Sequence, residues 1–169
     1  ELSEDCQLAA HEDAFGNLTH TFTAPGPFDQ LRVSVEGVVD TQNAHGVIKG
    51  TVERFPPSLF LRPTSLTEPD EAITALAHRC RDAAGNDGTL AVLHRLMNEL
   101  YGEMTFDTDP THVATTANEA YKLRRGVCQD ITHIFIAAAR QIDVPARYVS
   151  GYFHRADGVT DQEAGHAWT

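Results

Sequence analysis

Apolar and polar residues alternate in the first third of the chain and switch to helical spacing after it. Leu18, His20 and Phe22 alternate with threonines. Leu31, Val33 and Val35 alternate with Arg32, Ser34 and Glu36, the pattern of a half-buried strand. Residues 47–52 read as another strand, and 11–17 carry a turn signal between two short extended runs. Residues 1–63 are therefore expected to form a β-rich N-terminal region that begins part-way into a domain. A proline-rich connection runs from Phe55-Pro56-Pro57 to Pro63, and a second domain is expected over 64–169.

Three helical stripes follow. Ala72, Ile73, Leu76, Ala77 and Cys80 make one, with Thr67 as the expected cap and Pro69 in the first turn. Gly85-Asn86-Asp87-Gly88 is a turn, and Leu90, Leu93, Leu96, Met97, Leu100 and Tyr101 make the second. Phe106 to Pro110 reads as a loop. Thr116-Ala117-Asn118-Glu119 fits a capping box for a short helix ending near Arg125. The third stripe is Cys128, Ile131, Thr132, Phe135, Ala138, Ala139 and Ile142. Ile134, Ile136 and Ala137 make its other faces apolar too, so this helix is expected to be largely buried. Pro145 disfavours helical geometry at Val144, which puts the end near Asp143, a residue that tolerates a left-handed cap. A strand rich in Tyr, Val and Phe follows.

Composition narrows the function classes. The 169 residues carry a formal net charge of −11, and 41% of them are hydrophobic. An acidic surface argues against nucleic acid as the main partner and against an anionic membrane. No apolar run has the length of a membrane span, and no signal peptide is visible. Cys6, Cys80 and Cys128 give no paired framework, which favours a reducing compartment and a cytoplasmic location.

The chemistry concentrates between Arg124 and Trp168. Gly126 lets the backbone enter the helix at an unusual angle, and Cys128 sits at the helix start. The first turn of a helix leaves N–H groups unpaired at the positive end of its dipole. These favour a thiolate, the nucleophilic form, and can later hold an oxyanion. The bland alternative for Cys128 is a small buried hydrophobe. His166, in a His-Ala-Trp at the start of an apparent strand, shifts the weight to a nucleophile and its base.

Gly126-Val127-Cys128-Gln129-Asp130, then Pro145-Ala146-Arg147-Tyr148-Val149-Ser150-Gly151-Tyr152, then His166-Ala167-Trp168 resembles the bacterial transglutaminase-like superfamily. The three blocks stand in that family's order. The resemblance implies an α+β, papain-like core in which the Cys128 helix packs on an antiparallel sheet. It implies Cys128 as nucleophile and His166 as general base and acid. It also implies an acidic third member on the next strand, expected beyond Thr169, so the core is read as truncated after the histidine strand. The implied activity is a cysteine protease or amidase working through a thioester. Transglutaminase cross-linking uses the same residues, and a non-catalytic peptide-binding domain is the rival from another class. The expected partner is a peptide or protein substrate, with neither cofactor nor metal. The exposed edge strand is a place where a second copy could pair as a homodimer.

The remaining polar residues have plainer readings. His133 lies about 140° round the helix from Cys128 and is expected to be a buried, hydrogen-bonded support. His154 with Cys128 and His166 makes a zinc set only in principle, since no ligand spacing accompanies it. Asp130 suits a capping or structural role in the first turn.

Overall fold

The computed structural model describes residues 7–154, 156–159 and 165–169. It separates into two compact units, Glu1–Phe55 and Pro56–Thr169. The division falls at the head of the proline-rich connection.

In the first unit, β1 (Ala9–Glu12) pairs antiparallel with β2 (Leu18–Thr21), Glu12 opposite Leu18. Asp13 makes the turn. Its Oδ1 accepts from the N–H groups of Phe15 (2.8 Å) and Asn17 (2.9 Å), and its Oδ2 accepts from Asn17 Nδ2 (2.8 Å). These bonds, the Asn17 side chain first, hold the Asp13 carboxyl below its ordinary range. The strands expected over 31–35 and 47–52 do not form. Only a single bridge at Val33 occurs there, and Val35, Val39, Ile48 and Val52 stand exposed. Alternation describes a face that could be buried, but a strand also needs a lateral neighbour for its N–H and C=O groups. Across 47–52 no strand pairing occurs among the described residues.

The second unit is built round one helix. α1 (Glu71–Ala84), α2 (Thr89–Glu103) and α3 (Ala117–Leu123) all pack against α4 (Cys128–Gln141). Ile73, Leu76, Leu96, Leu100, Ile134 and Ile136 are fully buried there. Each such side chain contributes about 1.5–3 kcal/mol. On α4, Thr132, His133, Ile134 and Ile136 through Ala139 are buried, as its all-round apolar pattern predicts. The helix ends at Gln141, and Asp143 takes φ +60°. Antiparallel strands β5 (Val149–Gly151) and β6 (His166–Trp168) form a two-stranded sheet, and β6 lies against α4. This is the α+β arrangement expected.

Helix starts follow cap chemistry more than apolar pattern. Asp70, not Thr67, caps α1, accepting from the N–H groups of Ala72 and Ile73 at 3.0 Å. Thr67 instead is buried, and its hydroxyl accepts from Arg140 Nη1 (2.9 Å). The same guanidinium donates to Phe60 O (2.8 Å) and Ala146 O (2.8 Å), drawing the 3-10 turn Pro57–Leu61 onto the end of α4. The box of Thr116 and Glu119 caps α3 as its sequence indicates. On α2 the buried stripe is Val92, Leu96 and Leu100, whereas Leu90, Met97 and Tyr101 face outward.

Candidate active site

Cys128 is the first residue of α4 and is half-buried. A short parallel pair fixes its approach. β3 (Thr105–Phe106) pairs with β4 (Arg125–Gly126), Thr105 opposite Arg125 and Phe106 opposite Gly126. Asp107 N donates to Gly126 O (3.0 Å), and Asp107 forms an ion pair with Arg125. The sequence reads Phe106 to Pro110 as loop and runs the helix before β4 to near Arg125, whereas α3 ends at Leu123, because two residues are too few to show any period.

Asp130 then sets the first turn. It is 1% exposed. Its Oδ2 accepts from the N–H of Val127, the residue before the helix (2.8 Å), and from Thr111 Oγ1 (2.7 Å). A carboxylate at the third helical position thus reaches back to an otherwise orphan donor, the acidic half of a capping box. Thr111 belongs to the loop before α3, so one carboxylate joins that loop to the turn bearing Cys128. A Cβ on Gly126 would lie 2.5 Å from Asp130 Oδ2 and 2.9 Å from its Cβ. Glycine is therefore required for close approach. The unusual entry angle expected at Gly126 is not its role, since it is absent from the residues at positive φ.

His133 is buried, as expected, but its Nδ1 has no hydrogen-bond partner among the described residues. The expectation of a hydrogen-bonded support therefore fails at that atom. Asp130 Oδ1 is likewise buried without a partner among the described residues. Burial lowers the imidazole pKa from its ordinary 6.5, and the nearby Asp130 charge opposes this. The His133 ring meets Tyr148, with centroids 5.3 Å apart. Burial first, then the charges of Cys128 and Asp130, push the Tyr148 phenol above its usual pKa.

His166 opens β6 opposite Gly151 of β5 and is half-buried. Its ring stacks on Phe153 (4.9 Å) and meets Trp168 edge-on (4.7 Å). A Cβ on Gly151 would lie 3.1 Å from the Trp168 ring, so this glycine makes room for that contact. The structure thus puts Cys128 on α4 and His166 on the strand packed against it. Cys80 lies apart in the core, 1% exposed, its thiol pKa raised by burial first and then by Glu99. Cys6 is outside the described residues.

Among the described residues, no three of His, Cys, Asp and Glu are grouped to hold a metal, and no helix is long and apolar enough to cross a membrane. A groove of about 340 Å³ runs beside α3, lined by Pro110, His112, Thr115, Glu119, Lys122 and Leu123. Neither Cys128 nor His166 lines it. Its loop wall is tied to α4 through Thr111, and through Gln129 Nε2, which donates to Val113 O at 3.4 Å.

A cysteine-headed helix packed on a sheet that carries a histidine defines a papain-like class of core. The sequence pattern of the transglutaminase-like superfamily matches residues 74–169, and the chain belongs to that superfamily. An uncharacterized protein of Mycobacterium leprae is 26% identical over 170 residues, covering 92% of this chain and 59% of its own. An uncharacterized protein of Mycobacterium tuberculosis is 27% identical over 173 residues, covering 92% of this chain and 55% of its own. The chain thus spans little more than half the length of these relatives. The crystal structure of a "putative cysteine protease" from Cytophaga hutchinsonii shares the fold. Its TM-score is 0.54 at 24% identity, over 65% of this chain and 36% of that one.

Proposed function

We propose that the protein is a cysteine hydrolase that cleaves peptide-like amide bonds through a thioester. The observation that carries this is Cys128 at the N-terminus of the helix against which the His166 strand packs. His166 takes the thiol proton, and the sulfur attacks the amide carbonyl carbon. The carbonyl π electrons move to oxygen, where the N–H of Cys128 receives the charge. Collapse of this intermediate breaks the C–N bond, and His166 returns its proton to the leaving amine. Water, deprotonated by His166, then attacks the thioester and releases the acid and the free thiol. Membership of the superfamily supports the reading, and the protease name borne by the Cytophaga protein of the same fold agrees with it. A peptide or protein is the substrate this chemistry fits. The narrow β5–β6 sheet offers an edge on which an extended chain can add as a strand. A homodimer formed through that edge would compete with substrate.

The test is turnover of a mixed library of peptide amides, read as new carboxyl termini by mass spectrometry. Cys128→Ala is expected to abolish cleavage, and His166→Ala to reduce it by about 10³-fold or more. Amine incorporation without water-dependent cleavage would replace hydrolysis with transamidation. Cleavage that survives Cys128→Ala would overturn the proposal.

A further inference from the structure

We infer that Tyr148 supplies a second oxyanion donor beside the N–H of Cys128. The inference rests on the acyl-transfer reading above and deepens it, because one backbone N–H leaves half of a two-donor oxyanion site unassigned. The Tyr148 ring is held against His133, with centroids 5.3 Å apart and planes tilted by 45°. His133 lies five residues beyond Cys128 on α4, about 7.5 Å along the axis. Two charges act on the phenol, those of Cys128 and Asp130. Both belong to the first turn, N-terminal to His133, so the phenol lies within electrostatic reach of the helix start. The chain order agrees. Tyr148 immediately precedes β5, whose Val149 and Gly151 pair with Trp168 and His166. It therefore stands where the sheet carrying the base meets the helix carrying the nucleophile. A phenol is protonated at neutral pH, the state that donates, and burial moves its pKa further up. During attack the O–H of Tyr148 hydrogen-bonds the carbonyl oxygen as it gains charge. No proton need transfer, and the bond weakens again when the intermediate collapses to thioester.

The experiment compares Tyr148→Phe with the parent chain in two reactions of the same sulfur. Acylation by p-nitrophenyl acetate, followed as the nitrophenolate burst, passes through an oxyanion. Alkylation of Cys128 by iodoacetamide is a displacement at a saturated carbon and does not. Tyr148→Phe is expected to slow the burst about 100-fold and leave Cys128 alkylation at the parent rate. Retained alkylation also shows that the helix start is intact. An unchanged burst would overturn the inference. So would a parallel fall in both reactions, which would mean that Tyr148 acts on the thiol or the fold. A parent chain without any Cys128-dependent burst would instead remove the acyl-transfer reading, and this inference with it.

Discussion

At the scale of single residues, Asp130 does more than its place in the sequence suggests. A carboxylate in a first turn reads as a cap or structural group, and here it is buried and bonded to two elements. Its burial also accounts for Gly126, whose missing side chain makes the space. Neither fact was legible, because both depend on a loop about nineteen residues earlier folding back onto the helix start. The places of Cys128 at a helix start and of His166 at a strand start were legible from apolar pattern and the order of the blocks. Gly126→Ala is expected to lower stability by about 2–4 kcal/mol, by driving the Asp130 carboxylate off the Val127 N–H. In an Asp130→Ala background the same change should cost much less, which urea unfolding of the four proteins would show. Equal costs in both backgrounds would mean that the clash is not with Asp130. His133 gives a pH signature. Its folded pKa lies below the unfolded value, so its contribution is present above about pH 6.5 and is lost as pH falls toward the folded pKa. The stability gap between the parent and His133→Gln should therefore shrink from pH 7.5 to pH 5. A constant gap in urea midpoints would show that His133 does not titrate in the folded state as described.

At the scale of elements, the helices were legible from period and the strands much less so. α4 is apolar on most faces, and the structure duly surrounds it with α1, α2, α3 and β6. The short capping box of α3 fixed its start without reference to the rest of the fold. α2 shows the limit of periodicity. It has apolar residues on two faces, and its neighbours decide which one is covered. Leu96 is fully buried and the next residue, Met97, is 53% exposed. Leu96→Ala is expected to cost about 2–5 kcal/mol and Met97→Ala less than about 0.5 kcal/mol in thermal or urea unfolding. A larger loss at Met97 would mean that the helix is rotated from the position described. The two-residue pair of β3 and β4 left no trace in the pattern, although it sets the path of the chain into Cys128.

At the scale of the whole molecule, the two compact units differ in kind. Pro56–Thr169 has a continuous core, whereas the described residues of the unit before it expose most of their apolar side chains. The alternation that predicts strands over 31–35 and 47–52 is real in the sequence, but alternation fixes which face a strand would bury, not that the strand forms. The α+β core was legible for the opposite reason. Its cysteine helix carries its own burial pattern, and its histidine strand is only three residues long but chemically distinctive. The proposed chemistry depends above all on the Cys128 sulfur being the atom that becomes acylated. The most direct measurement is peptide-mapping mass spectrometry after the full chain meets an activated acyl ester for seconds and is quenched in acid. The expected result is one acyl group, on Cys128, with buried Cys80 unmodified and no acylation in Cys128→Ala. Acyl groups on other residues at equal rates, or an acylated Cys128→Ala protein, would contradict it.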